Sequence, residues 1–184
     1  RDGDALVVTE KATNKIDTFR VNGHGLVTST TVTDSVGQVP YGFDIDRSDH
    51  VIVSEAATGS VSSYDLEHGH LANITGALVD TQAAPCWLIA SANGRFAFTT
   101  NAASGTISSY RIGNDGSLTL LAAVAGTPGA GPTDVARSSD GRFIFVRVRN
   151  GDVATFAVGQ DGSLTSLGTV TGATAIGSSG LAAS

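Results

Sequence analysis

The sequence predicts an all-β chain, and three observations carry the prediction. A pattern recurs four times, about every 45–47 residues, marked by one aromatic (Phe19, Tyr64, Tyr110, Phe156) and, seven or eight residues on, by one leucine (Leu26, Leu71, Leu118, Leu164). Short apolar runs alternate with turns rich in Gly, Asn, Asp and His, among them the near-identical Asp115–Leu118 and Asp161–Leu164. No segment of ten or more residues carries a helical 3.6-residue period.

The third repeat shows the unit in full. Pro85–Ser91 is a short apolar run after a proline, and Asn93-Gly94 reads as a two-residue hairpin turn, where positive φ is cheap at glycine and tolerable at asparagine. Phe96–Thr100 is a second strand, Asn101–Gly105 a polar turn, and Thr106–Ile112 a third strand with period-2 alternation. Asn114–Gly116 turns the chain into a fourth strand, Leu118–Val124. The fourth repeat runs in the same order through Pro132, Asp140-Gly141, Phe143–Val146, Val153–Val158, Asp161-Gly162 and Leu164–Val170. The second runs from Pro40 through Asp49-His50, Val51–Ser54, Val61–Leu66 and Leu71 onward. Four antiparallel strands per repeat, repeated radially, describe a β-propeller blade. Small Ala, Ser, Thr and Val suit strands that are buried on both faces.

The expected architecture is therefore one β-propeller domain or part-propeller over residues 1–184. Its blade repeats are approximately 1–38, 39–83, 84–131 and 132–179, with a closing strand at 180–184. Arg1-Asp2-Gly3 matches the first hairpin turn of a blade, and Gly180–Ser184 matches an innermost strand such as Asp134–Ser138, the piece the first repeat lacks. Pairing of that C-terminal strand with the N-terminal repeat is expected, within one chain or between two, because an unpaired inner edge invites aggregation. The chain starts at Arg1 and contains no Met, as expected of a processed product or a fragment.

Composition narrows the partners. The net charge is −6, with 15% charged residues, and Lys and Arg are scattered. That balance argues against nucleic acid and against an anionic membrane surface. No apolar run reaches the length of a membrane span. Cys86 is the single cysteine, so no internal disulfide can form, and no compartment follows from it. There is no Gly-x-Ser-x-Gly elbow, P-loop, Cys-x-x-Cys or His-Glu-x-x-His, and no cofactor is expected. The Gly-rich stretches lie between strands rather than before helices, so they do not read as phosphate cradles.

The blade text resembles a known family. Pro-x5-Ser-x-(Asp/Asn)-Gly-Arg-Phe-x-Phe occurs at Pro85–Phe98 and Pro132–Phe145, Asn-x-x-Ser-Gly-Thr-Ile-Ser-x-Tyr at Asn101–Tyr110, and Asp-Gly-Ser-Leu-Thr twice. This resembles the lactonase-type seven-bladed propellers, the family of 6-phosphogluconolactonase and the carboxymuconate lactonizing enzyme. Seven such repeats need roughly 320–350 residues, so the chain looks like the C-terminal four blades of such a protein. The resemblance implies a hydrolase or isomerase acting on a small anionic lactone at the central funnel. The other reading is a non-catalytic propeller fragment serving ligand binding, protein interaction or assembly. A closed four-bladed ring, or two chains sharing blades in an eight-bladed homodimer, would suit the chain length.

Candidate site residues follow from the face that the loops into the inner strands share with the loops after the second strands. Glu10, Glu55 and Asn101 occupy one column in successive repeats, with Val148 fourth. Two carboxylates there read as an acid/base pair or cation site, or else as turn caps. Glu10 and Glu55 are the candidates for activating water, and Arg147 for catalysis beside them. Arg147 and Arg149 could hold a carboxylate or phosphate, or lie in a solvated loop. Tyr41 and Trp87 follow prolines at the mouths of inner strands and read as ligand-stacking groups, or as wedges between blades; Asn101 and Arg149 complete the candidate ligand-binding set. Cys86 lacks a basic neighbour in sequence and reads as an inert thiol. His24, His50, His68 and His70 read as exposed turn residues, and no metal is expected.

Overall fold

The computed structural model describes residues 3–172 and 180–183. Fifteen strands form four antiparallel sheets, and no helix occurs among the described residues. The first sheet holds β1 (Ala5–Glu10), β2 (Lys15–Val21) and β3 (Val27–Asp34). The second holds β4 (Pro40–Ile45), β5 (His50–Glu55), β6 (Ser60–Glu67) and β7 (His70–Val79). The third holds β8 (Pro85–Ala90), β9 (Phe96–Asn101), β10 (Thr106–Ile112) and β11 (Leu118–Gly126). The fourth holds β12 (Pro132–Arg137), β13 (Phe143–Val148), β14 (Val153–Val158) and β15 (Leu164–Val170). Each sheet is a meander in sequence order, and the radial repetition is that of an incomplete β-propeller.

Consecutive blades pack through both faces of their strands. β4 meets β8, β8 meets β12, and the second strand of each blade meets the inner strand of the next: β1 with β4, β5 with β8, β9 with β12. Three cores result. Val7 and Ile16 of the first blade meet Val51, Val53 and Tyr64 of the second. Ile52 and Val61 meet Leu88, Ala97 and Tyr110. Phe96, Phe98 and Ile107 meet Val135, Ile144, Val146 and Phe156. Two faces of one strand thus feed two cores, so β5 is buried along its whole length. Burial of the marker aromatics Tyr64 and Tyr110, at 1% and 0% exposure, explains why the repeat keeps an aromatic there.

Two expectations about the chain's shape are corrected. Asn93-Gly94 is not a two-residue turn with positive φ at both positions. The loop spans Ser91 to Arg95, only Gly94 is left-handed (φ 71°), and its N–H donates to Ser91 O at 2.9 Å. The reason is local chemistry: Asn93 Oδ1 accepts from the Arg95 N–H (3.0 Å) and Ser91 Oγ accepts from the Phe96 N–H (3.0 Å), which selects the longer turn. Asp140 and Ser138 repeat this arrangement in the fourth blade.

Within one chain, the expected pairing of the C-terminal strand with the first blade is not made among the described residues; pairing between two chains stays an expectation. The first sheet has three strands, residues 180–183 form none, and Leu181–Ala183 line a cavity with Val135–Ser139 of the fourth blade. Arg47 of the second blade and Ile89 and Ala92 of the third line the same cavity. Ser184, and the expected opening turn at Arg1-Asp2, lie outside the described residues. One face of β1 is uncovered among the described residues: Leu6 is 51% and Val8 39% exposed, while Val7 on the opposite face is buried.

Candidate functional site

The column of Glu10, Glu55 and Asn101 forms at the ends of β1, β5 and β9, at equivalent positions in the strand register. Its members do not face one funnel. Each lies on the strand face turned toward the preceding blade. Glu55 is fully buried between the first two blades, where its Oε1 accepts from Ser62 Oγ (2.6 Å) and Ser35 Oγ (2.8 Å). Tyr64 OH sits beside them and accepts from the Val36 N–H at 3.0 Å. The Gly37 backbone closes over the carboxylate so tightly that a Cβ there would lie 2.6 Å from Glu55 Cγ. Burial raises the Glu55 carboxyl above its ordinary value, against the hydrogen bonds from Ser62 and Ser35.

Asn101 repeats the position with the charge moved across the interface. It is fully buried, and its Nδ2 donates to Ser108 Oγ (2.8 Å) and Thr106 Oγ1 (3.1 Å). The carboxylate now comes from the inter-blade linker: Asp80 Oδ2 accepts from Ser108 Oγ and Tyr110 OH, both at 2.7 Å. Burial, and then the Asp80 charge, push the Tyr110 phenol far up. Each of these two interfaces therefore holds one buried carboxylate in a net of hydroxyl donors, and the column is a latch between blades. In the fourth blade Val148 takes the position, and Gly126 at the end of β11 lies against Phe156 instead.

Among the described residues, Glu10 meets no other blade on this face. It is half-buried on the uncovered face, accepts from Thr13 Oγ1, and shares its surroundings with Asp17. Burial, then the Glu10 charge, raise the Asp17 carboxyl, whose Oδ1 is buried without a partner among the described residues. Arg147 is 7% exposed and donates to Gly151 O at 3.5 Å, so it is a packed residue near the end of β13 rather than an open anion hook. Glu10, Glu55 and Arg147 thus do not assemble into one catalytic group.

Tyr41 and Trp87 do come together. Their rings meet edge to face, with centroids 5.5 Å apart and planes at 87°. Lys11, at the β1–β2 turn, places its ammonium 5.4 Å from the Tyr41 ring centre. Thr9 Oγ1 donates to Tyr41 O at 2.7 Å and fixes β1 against β4. Thr9, Lys11, Pro40, Tyr41 and Trp87 line a cleft of about 290 Å³ at the mouth of the inner strands. Gly42 makes the arrangement possible: a Cβ there would lie 2.5 Å from Cys86 O, so β4 and β8 approach closely only because it is absent. Lys11 was missed as a site residue because its proximity to Tyr41 is a contact between blades. It also supplies Cys86 with the cation absent from its sequence neighbourhood; burial still pushes that thiol up, and Lys11 opposes part of the effect.

Arg149 is exposed on the β13–β14 turn and lines a different, larger cavity. His50 departs from expectation. It is buried, its Nδ1 lies 2.8 Å from Asp46 Oδ2, and its ring packs under Gly116 of the third blade. His24, His68 and His70 are exposed, as expected.

Comparison with known proteins supports the architecture. A protein from Lactobacillus plantarum matches with a TM-score of 0.79 at 20% identity, over 92% of this chain and 55% of its own. The periplasmic gluconolactonase of Pseudomonas aeruginosa gives 0.73 at 23% identity, over 93% and 55%. A Bacteroides uniformis protein provisionally described as a 6-phosphogluconolactonase gives 0.79 at 16% identity, over 93% and 55%. These likenesses establish the fold, and the chain spans about half the length of the structures it matches. No curated protein matches it. The family described as lactonase, 7-bladed β-propeller, matches residues 53–180, which include the Pro85–Phe98 and Pro132–Phe145 motifs; the chain belongs to that lactonase family.

Proposed function

We propose that the chain contributes to a lactonase-type activity, binding a small anionic lactone, or the hydroxy acid it opens to, at the cleft formed by Lys11, Tyr41 and Trp87. The observation that supports this most is the ammonium of Lys11 beside the perpendicular Tyr41–Trp87 pair. The cation suits the ligand's anionic group, and the aromatic faces suit the C–H surface of a sugar-derived ring. Hydrolysis adds water to the lactone carbonyl and breaks the ring C–O bond. Of the two carboxylates in the column, Glu10 is the one that water reaches and it adjoins Lys11 in the chain, so in this reading it is the base to test, and Glu55 holds two blades together.

Trp87 is the single tryptophan and reports the site directly. Titration with gluconate is expected to change its fluorescence saturably, and Lys11→Ala to weaken binding about tenfold, the range of one charge-assisted contact. Hydrolysis of 6-phosphogluconolactone above the spontaneous rate, falling about a hundredfold in Glu10→Gln, is the expected sign of general-base catalysis. A rate equal to the spontaneous one in a folded sample would refute catalysis by this chain. The burial of Glu55 and Asn101 favours a second reading, a propeller segment that binds without turnover; fluorescence change without hydrolysis would establish it.

A further inference from the structure

A cavity of the loop face lies between the third and fourth blades and shares no lining residue with the Lys11 cleft. It measures about 770 Å³ and is bounded by Ala102, Ala103 and Pro128–Gly131 on one side and Val148–Asn150 on the other, with Asp152 and Thr169. Its walls are small and mostly apolar, yet they hold two sets of donors without acceptors. Arg149 forms no ion pair among the described residues. The main-chain N–H groups of Gly129, Ala130 and Gly131 donate to no acceptor among the described residues, although Gly131 is buried. A buried amide is ordinarily paired. The one carboxylate in the lining is occupied: Asp152 Oδ2 accepts from Asn150 Nδ2 (2.8 Å) and Oδ1 from the Gly172 N–H (3.1 Å).

The loop is built to bring these donors together. Gly129 (φ 126°) and Gly131 (φ 62°) hold conformations that disfavour a side chain, and Arg149 packs its guanidinium where a Gly131 Cβ would be, with Nε 3.0 Å from that point. The Arg149 N–H reaches Ala130 O at 3.4 Å, which ties the two loops. Successive main-chain amides around left-handed glycines form a concavity for anions, and a guanidinium adds a planar fork of donors. The guanidinium of Arg149 forms no ion pair with the Asp152 carboxylate of the same lining, whose oxygens are taken by Asn150 and Gly172.

We propose that this inter-blade cavity is a binding site for a small organic oxyanion, a carboxylate or a phosphate monoester, held by Arg149 and the amides of Gly129–Gly131, with its carbon body against Ala102, Ala103 and Val148. The Gly-rich linker, set aside at the level of sequence because no helix follows it, supplies the amides without one. The site stands apart from the lactone cleft and does not depend on it.

The test is amide chemical-shift titration of the full ¹⁵N-labelled chain with gluconate, with glucose 6-phosphate and with neutral glucose. The Gly129, Ala130 and Gly131 resonances are expected to shift saturably with at least one anion and not with glucose; the anion that binds more tightly identifies carboxylate or phosphate as the source. Arg149→Gln is expected to lower affinity tenfold or more with the remaining spectrum unchanged, and Lys11→Ala to leave it unaltered. Gly131→Ala, which displaces the guanidinium, is a second variant with the same expected loss. Absence of shifts with both anions, equal shifts with glucose, or undiminished affinity in Arg149→Gln would overturn the site. Failure of the Lys11 cleft would show separately, in Trp87 fluorescence.

Discussion

At the scale of the residue, the buried carboxylates show how one position serves structure where its chemistry suggests catalysis. Glu55 has its proton affinity raised by burial, so the folded state binds that proton more tightly than the unfolded chain. Its contribution to stability is then full below the ordinary carboxyl range near 4.5 and is lost as pH rises through the raised value. Glu55→Gln keeps an acceptor for Ser35 and Ser62 and removes the titration. Its urea midpoint is expected to lose the parent's decline as pH rises above 4.5 and to match or exceed the parent's once that decline is complete. A variant with the parent's full pH dependence would assign that dependence to another group. Tyr110→Phe removes one donor from Asp80 while Ser108 still serves it. The expected cost is about 1–2 kcal/mol by denaturant unfolding. The exposed turn carboxyls behave oppositely: the Ser138 hydroxyl and the Arg142 N–H hold Asp140 down to about 2, so carbon-detected titration should find it largely ionised at pH 3.

At the scale of the element, strand order and turn chemistry were legible because they are local. The apolar runs and Asp-Gly-Ser turns fall where the strands and turns form, and Asp115 and Asp161 each accept from the N–H and hydroxyl of the serine two residues on. Turn length was less legible, since the side chains of Ser91 and Asn93 decide it by competing for main-chain amides. The contact between inner strands was not legible, because the lack of a Cβ at Gly42 matters only once Cys86 O is known to lie there. Gly42→Ala is expected to cost about 1–3 kcal/mol, as overpacking does, and to alter Trp87 fluorescence, since the added methyl would press on the Trp87 Cα. An unchanged urea midpoint would mean that β4 and β8 separate without penalty.

At the scale of the whole molecule, the arc of blades leaves faces that its own packing rule expects to be covered. In the second and third blades the column residue is sealed by the preceding linker, through Ser35–Gly37 and through Asp80. In the first blade Leu6 and Val8 leave the same face uncovered among the described residues, with Glu10 and Asp17 half-buried on it. Exposed apolar faces of this kind associate. Light scattering is expected to give a mass that rises above 18.6 kDa with concentration, and Leu6→Lys to return it toward the monomer. Equal monomeric masses for both chains at high concentration would count against association through this face.

The sequence by itself determined the all-β class, the four-fold repeat, the hairpin order and the family, because periodicity and turn residues act over a few neighbours. Only the tertiary structure decided which polar residues are latches and which line a cleft. Glu10, Glu55 and Asn101 look alike as a column, yet Glu55 and Asn101 are sealed and Glu10 is not, since burial depends on whether another blade lies in front. Tyr41, Trp87 and Lys11, on three different blades, meet only when those blades pack around a common axis. The physical reason is range: hydrogen bonds within a turn are written in adjacent residues, whereas the charge, shape and water access of a site are set by chain segments that folding brings together.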